Sequence, residues 1–507
     1  MNAHSGNNKR IAKNTLMLYI RMLLIMGVTL YTSRVILNTL GVVDFGIYNI
    51  IASVIILFSF LNSAMVSSCQ RFLNFALGKN DYKEAQKVFS TSLTAFLILA
   101  IIVLILSETI GLWFVSTQIS IPAERYDAAI AVYHISIITT CIQILRIPYN
   151  ASIIAYERMS FYAYNSIIEA MLKLLIVWLL TLASFDKLVY YAFLLLVVAV
   201  VINISYIAYC RRNITTTRFI LGKDVKALKK ISIFSGWNLI ESVADIGYTQ
   251  GTNIILNMFY GVSLNAAMGI ANQIKSAVYS FVRNLQSAAN PQIVKSYAAE
   301  DYEHFRNLFF NISKYSYFLM FILAVPILLN IDYVLTLWLV NPPEYSNTFA
   351  TLTIIFCCLD SLIGPLWITM QANGNIRNYQ IITNLIILLN VPFSYIALYM
   401  GFAPNSILII QIILCIVSII VRLFMSRKYT GINIRSYLSN VIIPIGLVTI
   451  GSLPIPVIIS LYTNGFTRFL FTGICSMFTT LLAIYWVGIK GTERNLVKQF
   501  IKTRIKQ

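Results

Sequence analysis

The 507-residue chain is 58% apolar and 11% charged, with a mean hydropathy of +0.76. That composition cannot wrap a polar surface around a core, so water-soluble classes are excluded and a polytopic membrane protein is implied. A formal charge of +19 would suggest nucleic acid in a soluble protein, but here Lys and Arg cluster in alternate inter-helix segments, which is membrane topology rather than a binding patch.

A hydrocarbon core of about 30 Å takes about 20 apolar residues per helix, and the runs here lack the alternation of barrel strands. In chain order they predict helices at 12–38, 45–68, 89–115, 126–150, 161–183 and 188–210. After a basic interruption come 232–259, 266–290, 308–339, 347–371, 379–400 and 405–426, and finally 438–461 and 467–488, making fourteen. The first run is too long for a signal-peptide core and lacks a cleavage site, so it is expected to stay in the mature protein. Seven cysteines lie within or at the ends of apolar runs and three histidines are scattered, a pattern that predicts no disulfide, no metal and no catalytic centre.

Lys and Arg set the orientation. Arg71, Lys79, Lys83, Lys87, the seven cations of Arg211–Lys230 and the basic tail all fall on one side, against Arg125, Lys187 and Arg468 on the other. Both termini are therefore expected in the cytoplasm. No loop is long enough for a separate soluble domain.

Short matches recur at offsets of 217 to 221: Ile36-Leu37-Asn38 with Ile255-Leu256-Asn257, Asp81-Tyr82 with Asp301-Tyr302, Pro148 with Pro365, and Tyr162 with Tyr379. A period of six helices predicts two parallel six-helix lobes, with helices 13 and 14 outside the repeat. The expected organisation is an N-lobe at 1–210, a basic connector at 211–231, a C-lobe at 232–428, and helices 13–14 with a tail at 429–507.

Charged groups deep in membrane helices mark cavities or partners. Helix 7 carries Asn238, Glu241, Asp245, Thr249 and Thr252 on one face, and helix 8 carries Lys275, Tyr279, Arg283, Gln286 and Asn290, spacings of three and four in each case. At about 1.5 Å per residue, Asp245 and Lys275 reach similar depths, as do Glu241 and Arg283. Two ion-pair rungs are expected, with Arg21 of helix 1 near the lower one. Arg21, Lys275 and Arg283 are candidate cavity cations for an anionic substrate. Glu241, Asp245 and Asp360 are candidate acids that space the cations or bind a coupling H⁺ or Na⁺, and Asn238, Thr249, Tyr279 and Gln286 are candidate polar lining. Structural ion pairing explains the same stripes. Glu169 and Lys173 are expected to pair with each other, Asp360 with Lys314, and Arg146 and Arg34 to serve as interface anchors.

The segments SRVILNTLGVVDFGIYNI, QRFLNFALGKNDYKEA, TNIILNMFYGVSLNAAMGIANQI, AANPQIVKSYAAED and QANGNIRNYQI resemble the lipid-linked polysaccharide flippases often called Wzx-like. Those belong to the multidrug/oligosaccharidyl-lipid/polysaccharide exporter superfamily, and this variant looks like those of Bacteroides-type bacteria. The resemblance covers nearly the whole chain. It implies an inner-membrane carrier that moves an undecaprenyl-diphosphate-linked oligosaccharide, an O-antigen or capsule repeat unit, to the periplasmic leaflet by alternating access; the sequence leaves the oligomeric state open, with a monomer the simplest expectation. It implies no cofactor beyond a coupling H⁺ or Na⁺, no nucleic acid, and polysaccharide polymerase or assembly proteins as partners. A multidrug exporter of the same superfamily is the alternative. A membrane-embedded glycosyltransferase would need a catalytic loop that the chain lacks.

Overall fold

The computed structural model describes residues 14–28, 59–118, 122–182, 186–220, 225–260, 262–339, 342–489 and 494, with isolated positions between 31 and 51. Among them every regular element is helical. Fourteen long segments follow in order: α1 (Asn14–Val28), α2 (Ser59–Gly78), α3 (Tyr82–Thr117), α4 (Ala123–Ala155), α5 (Met159–Thr181), α6 (Lys187–Asn213), α7 (Val225–Tyr260), α8 (Val262–Ala298), α9 (Tyr302–Leu329), α10 (Ser346–Asn373), α11 (Arg377–Tyr399), α12 (Ser406–Thr430), α13 (Ile434–Tyr462) and α14 (Gly465–Gly488). Ten of these, α3–α6 and α9–α14, are long and apolar enough to cross a membrane. The helices α7 and α8, at 36 and 37 residues, have the length but not the apolar composition, because their polar stripes interrupt every window. Arg34, residues 221–224 of the connector and the basic tail apart from Arg494 lie outside the described residues.

Between α2 and α3 the chain turns a tight corner. Residues 70–78 complete α2, Asn80 adopts the left-handed conformation at φ 56°, and the Asp81 carboxylate accepts from Glu84 N at 2.9 Å to start α3. An N-cap of this kind replaces one missing intrahelical acceptor. The corner recurs in the second half, where Glu300 stands at φ 61° and Asp301 accepts from His304 N at 3.1 Å. Between α4 and α5 the left-handed residue is Glu157 (φ 58°), and between α10 and α11 it is Gly374 (φ 87°). The repeat read from short sequence matches thus appears as repeated backbone geometry. The helix predicted at 308–339 is two, because α9 ends at Asn330 and a short helix, Ile331–Leu339, follows.

Two compact units emerge: residues 1–242 with 294–300, and residues 243–293 with 301–507. In the first, α4 packs along α6, α3 and α2, and α5 packs on α6. Its core holds Phe89, Phe96, Ile153 and Leu180, each at most 1% exposed. In the second, α10 packs along α12 and α9, α11 packs on α12, and α14 covers α9 and α13. The same helix pairs therefore recur in each unit. Large apolar side chains on the outer faces, such as Trp178, Phe424, Ile450 and Phe478, are the lipid-contacting surface such a chain requires.

The basic connector begins as packed structure. Thr216 and Thr217 are 3% and 2% exposed. Gln86 Nε2 donates to Arg218 O at 2.9 Å, Ile220 N to Ser90 Oγ at 3.0 Å, and Tyr156 and Thr216 share a hydroxyl bond at 3.0 Å. These bonds fix the chain leaving α6 onto α3 and the end of α4.

Candidate functional site

In the first unit, α1, α4, α5 and α6 enclose a cavity of about 300 Å³. Along α5, Tyr162, Ser166, Glu169 and Lys173 follow at spacings of four, three and four and present one polar face to it. Arg21 enters from α1, Arg146 and Asn150 from α4, and Tyr206 from α6.

Charge in this cavity is unbalanced. The Glu169 carboxylate serves two cations at once: Arg146 Nη1 lies 3.1 Å from Oε2 and Lys173 Nζ 3.0 Å from Oε1. Arg21 has no carboxylate partner among the described residues. Its guanidinium carbon sits 4.4 Å above the Tyr162 ring, and its Nε is buried without a hydrogen-bond partner. Three cations against one acid leave a positive excess in a membrane interior, where low dielectric magnifies its attraction for an anion. Replacing Glu169 with glutamine should strand both Arg146 and Lys173. We expect a loss of about 1–3 kcal/mol of stability, read as a lower thermal midpoint of the purified protein, together with tighter retention of anionic ligands.

The sequence stripes on α7 and α8 are distributed differently from expectation. Asn238, 4% exposed, donates to Ser68 Oγ at 3.4 Å, beside a Ser235–Ser68 bond of 2.9 Å, so it fastens α7 to α2 within the first unit. Glu241 also belongs to the first unit, whereas Asp245, Lys275 and Arg283 belong to the second. The expected Asp245–Lys275 rung does not form. Asp245 is exposed on α7, and the Lys275 ammonium lies 4.8 Å from the Phe356 ring centroid with no carboxylate of a described residue in ion-pair range. Equal rise along two helices does not by itself bring two side chains together, because the rotation of each helix sets where its face points.

Lys275 instead lines a smaller cavity of about 40 Å³, together with Thr249, Asn253, Thr353 and Gln411. Arg283 is exposed, 5.8 Å from the Tyr279 ring, and the Tyr279 hydroxyl donates to the Asp360 backbone carbonyl at 3.4 Å. Gln286 is a packing lock: Nε2 donates to Ser316 Oγ (3.2 Å) and Ser361 O (3.0 Å), tying α8 to α9 and α10. The expected Asp360–Lys314 pair is absent. Lys314, 1% exposed, donates to Gly488 O at 3.3 Å and so seats the end of α14 on α9.

Sequence reasoning missed two features. Arg146, Glu169 and Lys173, read as an anchor and a local pair, line the larger cavity with Arg21; the stripe on α5 was the available signal. Arg422, 4% exposed, donates from Nε to Ser418 Oγ at 2.9 Å, bonds the Tyr379 hydroxyl, and lies 4.9 Å from that ring. Tyr379 is the repeat equivalent of Tyr162. Each unit therefore covers the same tyrosine with an arginine drawn from a different helix.

The MatE family profile matches residues 239–396. No curated protein matches the chain. Among solved structures, an outward-facing multidrug resistance MATE family transporter of the MOP superfamily superimposes with a TM-score of 0.72 at 17% identity, covering 83% of this chain and 95% of that one. A MATE structure in the bent conformation gives 0.70 at 18%, covering 83% and 95%. A MOP superfamily transporter from Pyrococcus furiosus, whose description reads "reverse polarity of binding pocket suggests different function", gives 0.66 at 18%, covering 82% and 95%. The chain has the MATE transporter fold.

Proposed function

We propose that this chain, with the MATE transporter fold as its frame, carries an anionic amphiphile across the membrane, and that the cargo is a diphosphate-linked lipid oligosaccharide passed from the cytoplasmic to the periplasmic leaflet. The observation that carries this reading is the cation excess of the larger cavity: Arg21 unpaired, with Arg146 and Lys173 sharing Glu169. A diphosphate supplies the missing negative charge and presents several acceptors to guanidinium donors in planar, bidentate geometry. A cationic drug entering the same cavity would meet net repulsion.

Multidrug export is the second reading, favoured by the MatE match and by the name of the 0.72 relative. Deleting the gene separates the two. Accumulation of a polyprenyl-diphosphate oligosaccharide in the cytoplasmic leaflet is the expected result; normal surface polysaccharide with drug hypersensitivity would establish the second reading instead.

A further inference from the structure

The geometry points to a small inorganic anion, a halide, bound beside Lys275 in the second unit, at a place distinct from the cargo cavity. Four helices converge there: α7 brings Thr249 and Asn253, α8 Lys275, α10 Thr353 and α12 Gln411. Thr252 in the lining donates to Tyr248 O at 2.8 Å, but much of the remaining polar lining is unused. Thr353 is 3% exposed and its Oγ1 is buried with no hydrogen-bond partner, and Gln411 is 9% exposed. None of Lys275, Thr353, Gln411 and Asn253 makes a side-chain hydrogen bond or ion pair with a described residue. Buried polar groups are ordinarily satisfied, and an ammonium inside a membrane protein is costly unless compensated. Idle hydrogen-bond donors of this density around one charge describe a place built for a ligand.

Size and sign select the ligand. The cavity measures about 40 Å³, and a single water takes about 10–15 Å³ by the same measure. A halide fits; a diphosphate with its seven oxygens does not. Among the described residues lining it, Lys275 alone is charged, and it repels Na⁺ and attracts an anion. The lysine ammonium, the Thr353 hydroxyl and the amide N–H groups of Asn253 and Gln411 can all donate to one halide, while Phe356 shields the far side of the ammonium at 4.8 Å. An anion so placed would neutralise Lys275 and hold α7, α8, α10 and α12 together.

The test uses the purified full chain in detergent with chloride and bromide as probes, followed by ³⁵Cl line broadening and by calorimetry against a gluconate background. Saturable binding of one halide is expected, weakened at least tenfold by Lys275→Met and several-fold by Thr353→Val, the second variant guarding against a folding defect in the first. Arg21→Ala should leave halide binding intact, so a failure of the cargo reading leaves this one standing. The inference is overturned by three results: no saturable halide binding, binding that both cavity variants leave unchanged, or displacement of the halide by inorganic diphosphate, which would return Lys275 to the cargo.

Discussion

Arg21→Ala should reduce transport by about 10–100-fold while changing the stability of the folded protein by no more than about 1 kcal/mol. The two halves of this expectation have the same origin. Among the described residues the guanidinium has no acid partner and a buried Nε without an acceptor, so the empty protein gains little from it beyond the Tyr162 contact at 4.4 Å. With an anion in the cavity, the same group forms charge-assisted hydrogen bonds in low dielectric, worth about 1.5–3 kcal/mol, and about 1.4 kcal/mol is tenfold. Arg21→Lys should recover part of the activity, since the charge remains while the planar fork and its stacking are lost. Cargo flux in proteoliposomes and the thermal midpoint of the same preparations measure the two quantities. Wild-type flux in Arg21→Ala would refute the assignment of Arg21 to the cargo.

The largest stability loss is expected from Gly78→Ala. A methyl at this position would stand 2.6 Å from Lys295 O, 2.7 Å from Lys295 Cα and 2.8 Å from Ala298 Cβ. Two of these atoms are backbone and cannot swing aside. The neighbouring turn is also held by the Lys295–Glu157 ion pair at 2.6 Å, in which the Glu157 side chain is 1% exposed. Forcing the end of α2 away from residues 294–298 should cost about 3 kcal/mol and weaken that pair. Gly269→Ala is the matched control. Its added methyl meets nothing within 4 Å, and helix propensity alone makes it neutral or stabilising by up to about 1 kcal/mol. Equal thermal midpoints for the two variants would show that the close approach at Gly78 does not limit stability.

Ten of the predicted spans were readable in the chain because lipid imposes length and apolarity on each segment separately, and α13 and α14 need only their own residues to be recognised. The polar faces of α7 and α8 were readable for the same reason, since spacing within one helix fixes a face. What spacing cannot fix is the rotation of that face toward a neighbour. Asp245 and Lys275, expected at one depth from helical rise, therefore do not pair, and Gln286 turned out to bind Ser316 and Ser361. The larger cavity was harder still. Arg21, Arg146 and Lys173 come from three helices, and each alone looks like an anchor or half of a local pair. Only α5 carried a visible stripe, and its meaning depended on what α1, α4 and α6 placed opposite it.

The matching corners at Asn80–Asp81 and Glu300–Asp301 bear on the ancestry of the chain. A half-length gene joined to its own copy would hand both descendants the same bends, and a bend stays useful whatever the helices beside it later line. The interiors had no such obligation: where one half has Arg146 and Glu169, the other has Ile363 and Ile386 at the corresponding positions. Descent from a duplicated half would thus leave its record in the turns, while the capacity to hold cargo became the property of one copy.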